Sequence, residues 1–258
     1  MLNELFYKNI SNFEFNGINS KDYGLIVNNT EGIHGSPKPI VDVVNVPGRG
    51  NLIIDRKADP LDNDEYEDVQ KAYYVHMLPD SKSEQNIDMI SRAMYKWLYS
   101  DGSKYRPLKD SYEPGYYRRA YVSEMITVDR IANGLISSLK IPFTCSAYKF
   151  SESGLEPVQF TKPGMIYNPE GFTSNPLIVA YGEGDISLVI NDRSYIFAID
   201  SNVIYIDSDV MNSFDENHVL KNTNTKFEYY PKLASGPNNI SWTGNLTKLI
   251  ILPRWCTL

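Results

Sequence analysis

The sequence predicts a mainly β protein in two parts: an α+β first half with one amphipathic helix, then an antiparallel β-sandwich. Three observations predict it. Short runs of β-branched, aromatic and aliphatic residues recur between turn residues, too brief for helices and too regular for disorder. Helical spacing with a start signal occurs once, in the first half. Residues 151–164 carry Ser, Gly, Glu and two prolines, the composition of a linker. The expected organisation is a first domain over 1–150, a linker over 151–164 and a second domain over 165–258.

The elements of the first half follow in order. Phe13-Glu-Phe15 alternates and meets Asn16-Gly17, the strongest short hairpin signal. Asp22-Tyr-Gly24 turns into a strand at Leu25-Ile-Val27. Val41-Asp-Val-Val-Asn-Val46 is rich in β-branched residues, stops at Pro47-Gly48, and resumes as Leu52-Ile-Ile-Asp55. Asp59 to Glu65 is an acidic, turn-forming loop. Ser81-Lys-Ser-Glu84 has capping-box spacing, after which Ile87, Ile90, Met94, Trp97 and Leu98 fall on one helical face before Asp101-Gly102 stops the helix. Strand-like Tyr105 to Leu108, a turn at Glu113-Pro-Gly115 and strand-like Tyr116 to Glu124 come next. Ile131-Ala-Asn-Gly134 reads as a turn, and Pro142 breaks the run from Leu139 to Tyr148 into an edge strand or a bulge.

Beyond 164 the pattern is almost purely β. Leu177–Tyr181 ends at the turn Gly182-Glu-Gly184, Ile186–Ile190 ends at Asn191-Asp192, and Tyr195–Ile199, Val203–Ile206, Asn239–Trp242 and Thr247–Leu252 follow. Strands separated by turn signals in this rhythm describe a sandwich.

Composition narrows the function. Hydrophobic residues make up 42% of the chain, enough to bury a core at this length. The net charge is −7 with no long basic run, so direct nucleic-acid recognition is not expected. Cys145 and Cys256 are too few for a disulfide framework and are expected to be reduced, buried thiols made in a cytoplasm. The start, Met1 to Lys8, lacks the basic and apolar regions of a signal peptide, and no stretch has the length of a membrane span, so neither export by such a signal nor membrane insertion is expected.

No catalytic, cofactor-binding or metal-ligating residues are recognisable in the sequence. His34, His76 and His218 have no metal-binding spacing. The serine elbow, the phosphate loop and the full dinucleotide fingerprint are absent; Gly182-Glu-Gly184 lacks a third glycine and a following helix. Asp62-Asn-Asp64 looks like part of a calcium loop without the glycine and distal glutamate at the required spacing. Asp207 and Asp209 share a strand face, yet suit a strand end equally well.

The order of certain segments says more. Phe13-Glu-Phe-Asn-Gly17, Ser20-Lys-Asp-Tyr-Gly-Leu25, Val46-Pro-Gly-Arg-Gly-Asn-Leu52, Tyr95-Lys-Trp-Leu98 and Tyr105-Arg-Pro-Leu-Lys-Asp110 together resemble the first domain of the siphophage distal tail protein family. Pro176-Leu-Ile-Val-Ala-Tyr-Gly-Glu-Gly-Asp185, Tyr205-Ile-Asp207, Pro231-Lys-Leu233, Gly236 to Trp242 and Pro253-Arg-Trp255 are similar to its second domain. The resemblance implies a non-enzymatic structural protein of the virion tail tip, made in the bacterial host cytoplasm. Its first domain would form a hexameric ring beneath the tail tube protein and above a tail-associated tip protein. Its second domain, a galectin-like sandwich, would project outward and anchor tip or receptor-binding proteins. The resemblance marks Arg49, in the Val46–Arg49 loop, as the candidate interface residue, and Trp242 and Trp255 are read as sandwich core rather than as sugar-stacking platforms. The alternative it leaves open is a carbohydrate-binding adhesin using the sandwich.

Overall fold

The computed structural model describes residues 11–31, 36–48, 50–54, 57, 59–77, 86–126, 128–131 and 136–258. The chain divides into two compact units, the first from Met1–Ile40, Tyr66–Lys149 and Leu258, the second from Val41–Glu65 and Phe150–Thr257. In chain order the strands begin with β1 (Phe13–Phe15), β2 (Ile18–Asn19), β3 (Leu25–Glu31), β4 (Asp42–Val46), β5 (Gly50–Ile54) and β6 (Val69–Met77). The helix α1 (Asn86–Tyr99) precedes β7 (Arg106–Asp110), β8 (Tyr116–Val122), β9 (Val128–Ile131) and β10 (Ile136–Ser151). Then come β11 (Val158–Phe160), β12 (Gly164–Asn168), β13 (Leu177–Ile190), β14 (Arg193–Ile199), β15 (Val203–Asp207), β16 (Asn212–Phe214), β17 (Gly236–Leu252) and β18 (Cys256–Thr257). The fold is mainly β, with α1 its one α-helix among the described residues.

The first unit is a sheet in the order β2-β1-β7-β8-β10-β6-β3, with β9 folded back on the start of β10. Asn16-Gly17 forms the expected two-residue hairpin, Phe15 pairing with Ile18. Alternation along β6 buries Val69, Lys71, Tyr73, Val75 and Met77 on one face. Met94, Trp97 and Leu98 of α1 join Phe13, Phe15, Tyr73, Val75 and Phe143 in a single apolar cluster, while Met89, Arg92 and Lys96 are exposed. The Trp97 Nε1–H donates to the Phe15 carbonyl at 2.9 Å, so the indole anchors helix to first strand through both its faces and its polar edge. The capping box at Ser81–Glu84, the side chain of Ile87, the Ala132–Gly134 turn and His34 lie outside the described residues.

Pro142 is neither at a sheet edge nor in a bulge. β10 runs through it unbroken, with Pro142 opposite Ala72 of β6. The far side of β10 explains the tolerance. There β9 covers residues 136–139, and the Pro142 carbonyl accepts from Ser123, just past the end of β8. The proline occupies the changeover between two neighbours, where a missing N–H breaks no continuous ladder.

Where the chain first leaves the first unit, after Ile40, it returns beside the same place, at Tyr66. Pro39 bridges Tyr66, the Glu67 N–H donates to the Lys38 carbonyl at 2.8 Å, and Lys38 pairs with Glu67 at 3.0 Å. Val41–Glu65 is thus an excursion whose ends are zipped together.

In the second unit, sequence segments that read as separate strands are joined. Leu177–Tyr181 and Ile186–Ile190 are both β13, and Asn239–Trp242 and Thr247–Leu252 are both β17. Gly182-Glu-Gly184 is no chain-reversing turn. It lies in a ladder whose register shifts between Tyr181 and Gly182 and again between Glu183 and Ser187. The glycines are required by close approach: a Cβ on Gly182 would stand 2.2 Å from the Asn245 carbonyl oxygen, and one on Gly244, at φ 97°, 2.4 Å from that of Asp185. Bending there gives β13 different neighbours in its two halves, β15 along Leu177–Tyr181 and β14 along Gly184–Ile190. β17 likewise pairs with β12 near its start and β11 near its end. Ile178, Ala180, Leu249 and Ile251 from one half and Ile186, Leu188, Ile190 and Ile240 from the other share one core.

Gly244→Ala should therefore cost the second unit about 2–5 kcal/mol, from left-handed strain and overpacking together. Gly171→Ala, where a Cβ meets nothing within 4 Å, should be close to neutral. Chemical denaturation followed by tryptophan fluorescence measures both.

Candidate functional site

The feature that asks for a function is the β4–β5 hairpin. Its ladder pairs Val44 with Leu52, Val43 with Ile53, Asp42 with Ile54 and Val46 with Gly50. Cross-strand partners share a face and successive pairs alternate. Val44 and Leu52 therefore lie on one face of the ribbon, Val43 and Ile53 on the other. All are exposed: Val43 52%, Val44 43%, Leu52 54% and Ile53 67%, with Ile54 and Val41 exposed beside them. A ribbon of two strands is at best marginal in water, and one apolar on both faces leaves large hydrophobic area uncovered. At its tip, Pro47-Gly48 precedes Arg49, which lies outside the described residues.

The stretch after the hairpin is tied to the second unit by polar groups. Asp59, with 2% of its side chain exposed, accepts from Arg193 Nη1 at 2.7 Å and faces Lys232 Nζ at 3.8 Å. Lys232 also pairs with Asp62. Burial alone would raise the Asp59 carboxyl, but the Leu61 amide, Arg193 and Lys232 outweigh it and hold it below the ordinary carboxylate range. The acidic loop that looked like part of a calcium site thus has a lysine ammonium between two of its carboxylates. Among the described residues no group of three or more His, Cys, Asp or Glu is placed to hold a metal.

The first unit has a buried ionic cluster of its own. Lys71 Nζ lies 2.6 Å from Asp110 and 3.5 Å from Glu113, with both Lys71 and Asp110 only 3% exposed at their side chains. Tyr73 donates to Asp110 at 2.7 Å, and Lys149 reaches Glu113 at 2.9 Å. Arg118 donates to the Ala147 carbonyl at 2.7 Å. Burial works to raise the Asp110 carboxyl; Lys71 and the Tyr73 hydroxyl prevail and lower it. The charges answer one another within the cluster, which closes the β7–β8 turn at Glu113.

The remaining sequence candidates are structural. Asp207 forms a bidentate pair with Arg254, at 2.6 and 2.9 Å, and accepts the Asp209 amide, so the two aspartates are not a free acid–base pair. His76 Nε2 is 2.6 Å from the Asn28 amide nitrogen, and His218 sits edge-on to Phe214. Both cysteines are buried and form no disulfide, and burial pushes the Cys145 thiol up to about 12, far from a reactive thiolate at neutral pH. Trp255 is core, and Trp242 packs half-buried against it. Sequence reading missed the hairpin's exposure and the long-range charge pairs. The adjacent apolar residues Val43-Val44 and Leu52-Ile53-Ile54, which break the in–out alternation of a half-buried strand, are the signal that could have found the first.

Replacing Lys71 by Met should cost the first unit about 3–5 kcal/mol, because Asp110 is left buried without its cation. Adding Asp110→Asn should recover part of that loss in thermal or chemical unfolding. A carboxyl held low in the native state binds its proton later than the same group in the unfolded chain. The stability contributed by Asp110, Asp59 and Asp207 is therefore complete above the ordinary carboxylate value and lost from about pH 4 downward. Unfolding measured from pH 7 to pH 3 checks this.

No family model and no curated protein matches the chain. Among solved structures, the crystal structure of phage SPP1 Dit (gp 19.1), presented as a paradigm of hub adsorption apparatus in phages infecting Gram-positive bacteria, is similar. The match has a TM-score of 0.69 and 14% identity, covering 96% of this chain and 100% of that one. At that identity the likeness is one of fold: this chain has a Dit-like fold.

Proposed function

We propose that this chain is a structural subunit of a phage tail tip, a self-associating hub rather than a catalyst. The β4–β5 hairpin carries the reading, since a ribbon apolar on both faces calls for a partner that covers it. The fold likeness to SPP1 Dit over 96% of the chain suggests what the partner is, a second copy in a hub.

Magnitudes favour a closed ring over a dimer. Covering six half-exposed aliphatic side chains returns on the order of 5–10 kcal/mol. Association costs about 4–15 kcal/mol, so one arm on one neighbour is a weak contact. In a closed ring every subunit both gives and receives an arm, and no apolar face is left open. Six subunits around an open channel is the expected number, with the tail tube protein on one side and the tail-associated tip protein on the other. The second unit is the place for tip or receptor-binding proteins, and Arg49 is the candidate contact with the neighbour. The tail tip of the virion is the corresponding location.

Light scattering on a sizing column should give a multimer, six times the subunit mass or a series leading to it, across concentration and salt. Val43→Glu with Ile53→Glu changes only side chains exposed in the single chain, and should shift the protein to monomer without lowering its melting temperature. A persistent monomer, alone and with its tube partner, or an unchanged multimer in the double variant, would contradict the reading.

A further inference from the structure

Val41–Glu65 belongs to the second unit by its contacts, yet among the described residues none of that unit's apolar core comes from it. Among the described residues it is held by charge and hydrogen bonding within residues 59–63. Asp59 pairs with Arg193 at 2.7 Å and Lys232 at 3.8 Å, and Asp62 pairs with the same Lys232. The Asn63 side chain donates to the Thr173 carbonyl at 2.7 Å and accepts the Thr173 amide at 3.0 Å, a two-way bond that fixes register. Lys57 and Asp64, paired at 2.7 Å, close the base of the loop. All of this follows directly on the exposed hairpin.

From this arrangement we infer that residues 59–63 form a polar clasp that sets the pose of the β4–β5 arm and opens as a unit while the sandwich core stays folded. The physical basis is the kind of contact. A segment held by apolar burial must re-expose that area to leave, which drags on the core it came from. A segment held by ions and amides exchanges its partners for water, and the net worth of each such bond is small once both sides are hydrated. The Asp59 Oδ2 atom is buried without a hydrogen bond and faces only the Lys232 ammonium at 3.8 Å, so opening exchanges a loose ion pair for hydration. Arg193 and Lys232 keep 31% and 13% of their side chains exposed, so their charges already border water. An arm fastened in this way can change pose as a neighbour arrives without unfolding the unit that carries it. That use rests on the proposed assembly; the clasp itself is a property of one chain.

Limited proteolysis of the full chain, at a concentration where it is monomeric, tests the clasp. Cleavage after Lys57 reports opening, and cleavage after Lys248, within β17, reports the core. In Asp59→Asn and in Lys232→Gln the initial rate after Lys57 should rise at least tenfold, with the rate after Lys248 unchanged. Should Asp59→Asn fail to fold, Lys232→Gln, which alters the partly exposed end of the pair, decides alone. Unchanged cleavage after Lys57, or equal acceleration after Lys248, would overturn the inference. Since the readout is taken on single chains, failure of self-association leaves it intact, and failure of the clasp leaves the association experiment standing.

Discussion

Strands β13 and β17 pair along most of their length, and the bend they share lets one sheet close over one core. The bend depends on backbone approaching backbone. Carbonyl oxygens of Asn245 and Asp185 stand where any Cβ on Gly182 or Gly244 would go. With that contact in place, the halves of each long strand pick up different outer neighbours, and aliphatic side chains from both halves meet inside. The second unit follows from this one close approach, and the closing Arg254–Asp207 pair then pins the last residues to β15.

Burial and charge divide the labour differently elsewhere. In the first unit, Trp97 welds helix to sheet through apolar contact and one hydrogen bond, while Lys71, Asp110 and Glu113 hold the β7–β8 turn by mutual neutralisation. In the arm the apolar residues point outward and the polar ones hold on. That inversion is the reason to read β4 and β5 as built for something beyond their own chain. A core-forming strand would hide Val43 and Ile53; here both are more than half exposed.

Much of this was legible in the sequence where the determinant was local. Asn16-Gly17 specified its hairpin, and the spacing of Ile90, Met94, Trp97 and Leu98 specified the buried face of α1. Tyr195–Ile199 and Val203–Ile206 were recognisable as strands from their residue types. Legibility ended where the determinant was a distant partner. Gly182-Glu-Gly184 has the composition of a turn, and only the opposing β17 makes it a bulge. Pro142 reads as a strand breaker until β9 and β8 are seen to meet beside it. Nothing near Asp59 in the sequence announces Arg193 or Lys232, and Lys71 looks like any surface lysine until Asp110 closes on it. β12 and β16 are short and carry polar residues, so their strand character comes from pairing with β17 and β15. The candidate site is half visible: Val46–Arg49 stands out as a loop, but the exposure of the ribbon behind it follows only from the register of β4 on β5.

The most direct test of a self-associating hub is an image of it. Electron microscopy of the purified protein, classified without imposed symmetry, should show closed rings around an open channel, with density for the β4–β5 arm lying against the neighbouring subunit. Single subunits or irregular clusters under every condition, including in the presence of the proposed tube partner, would contradict the account.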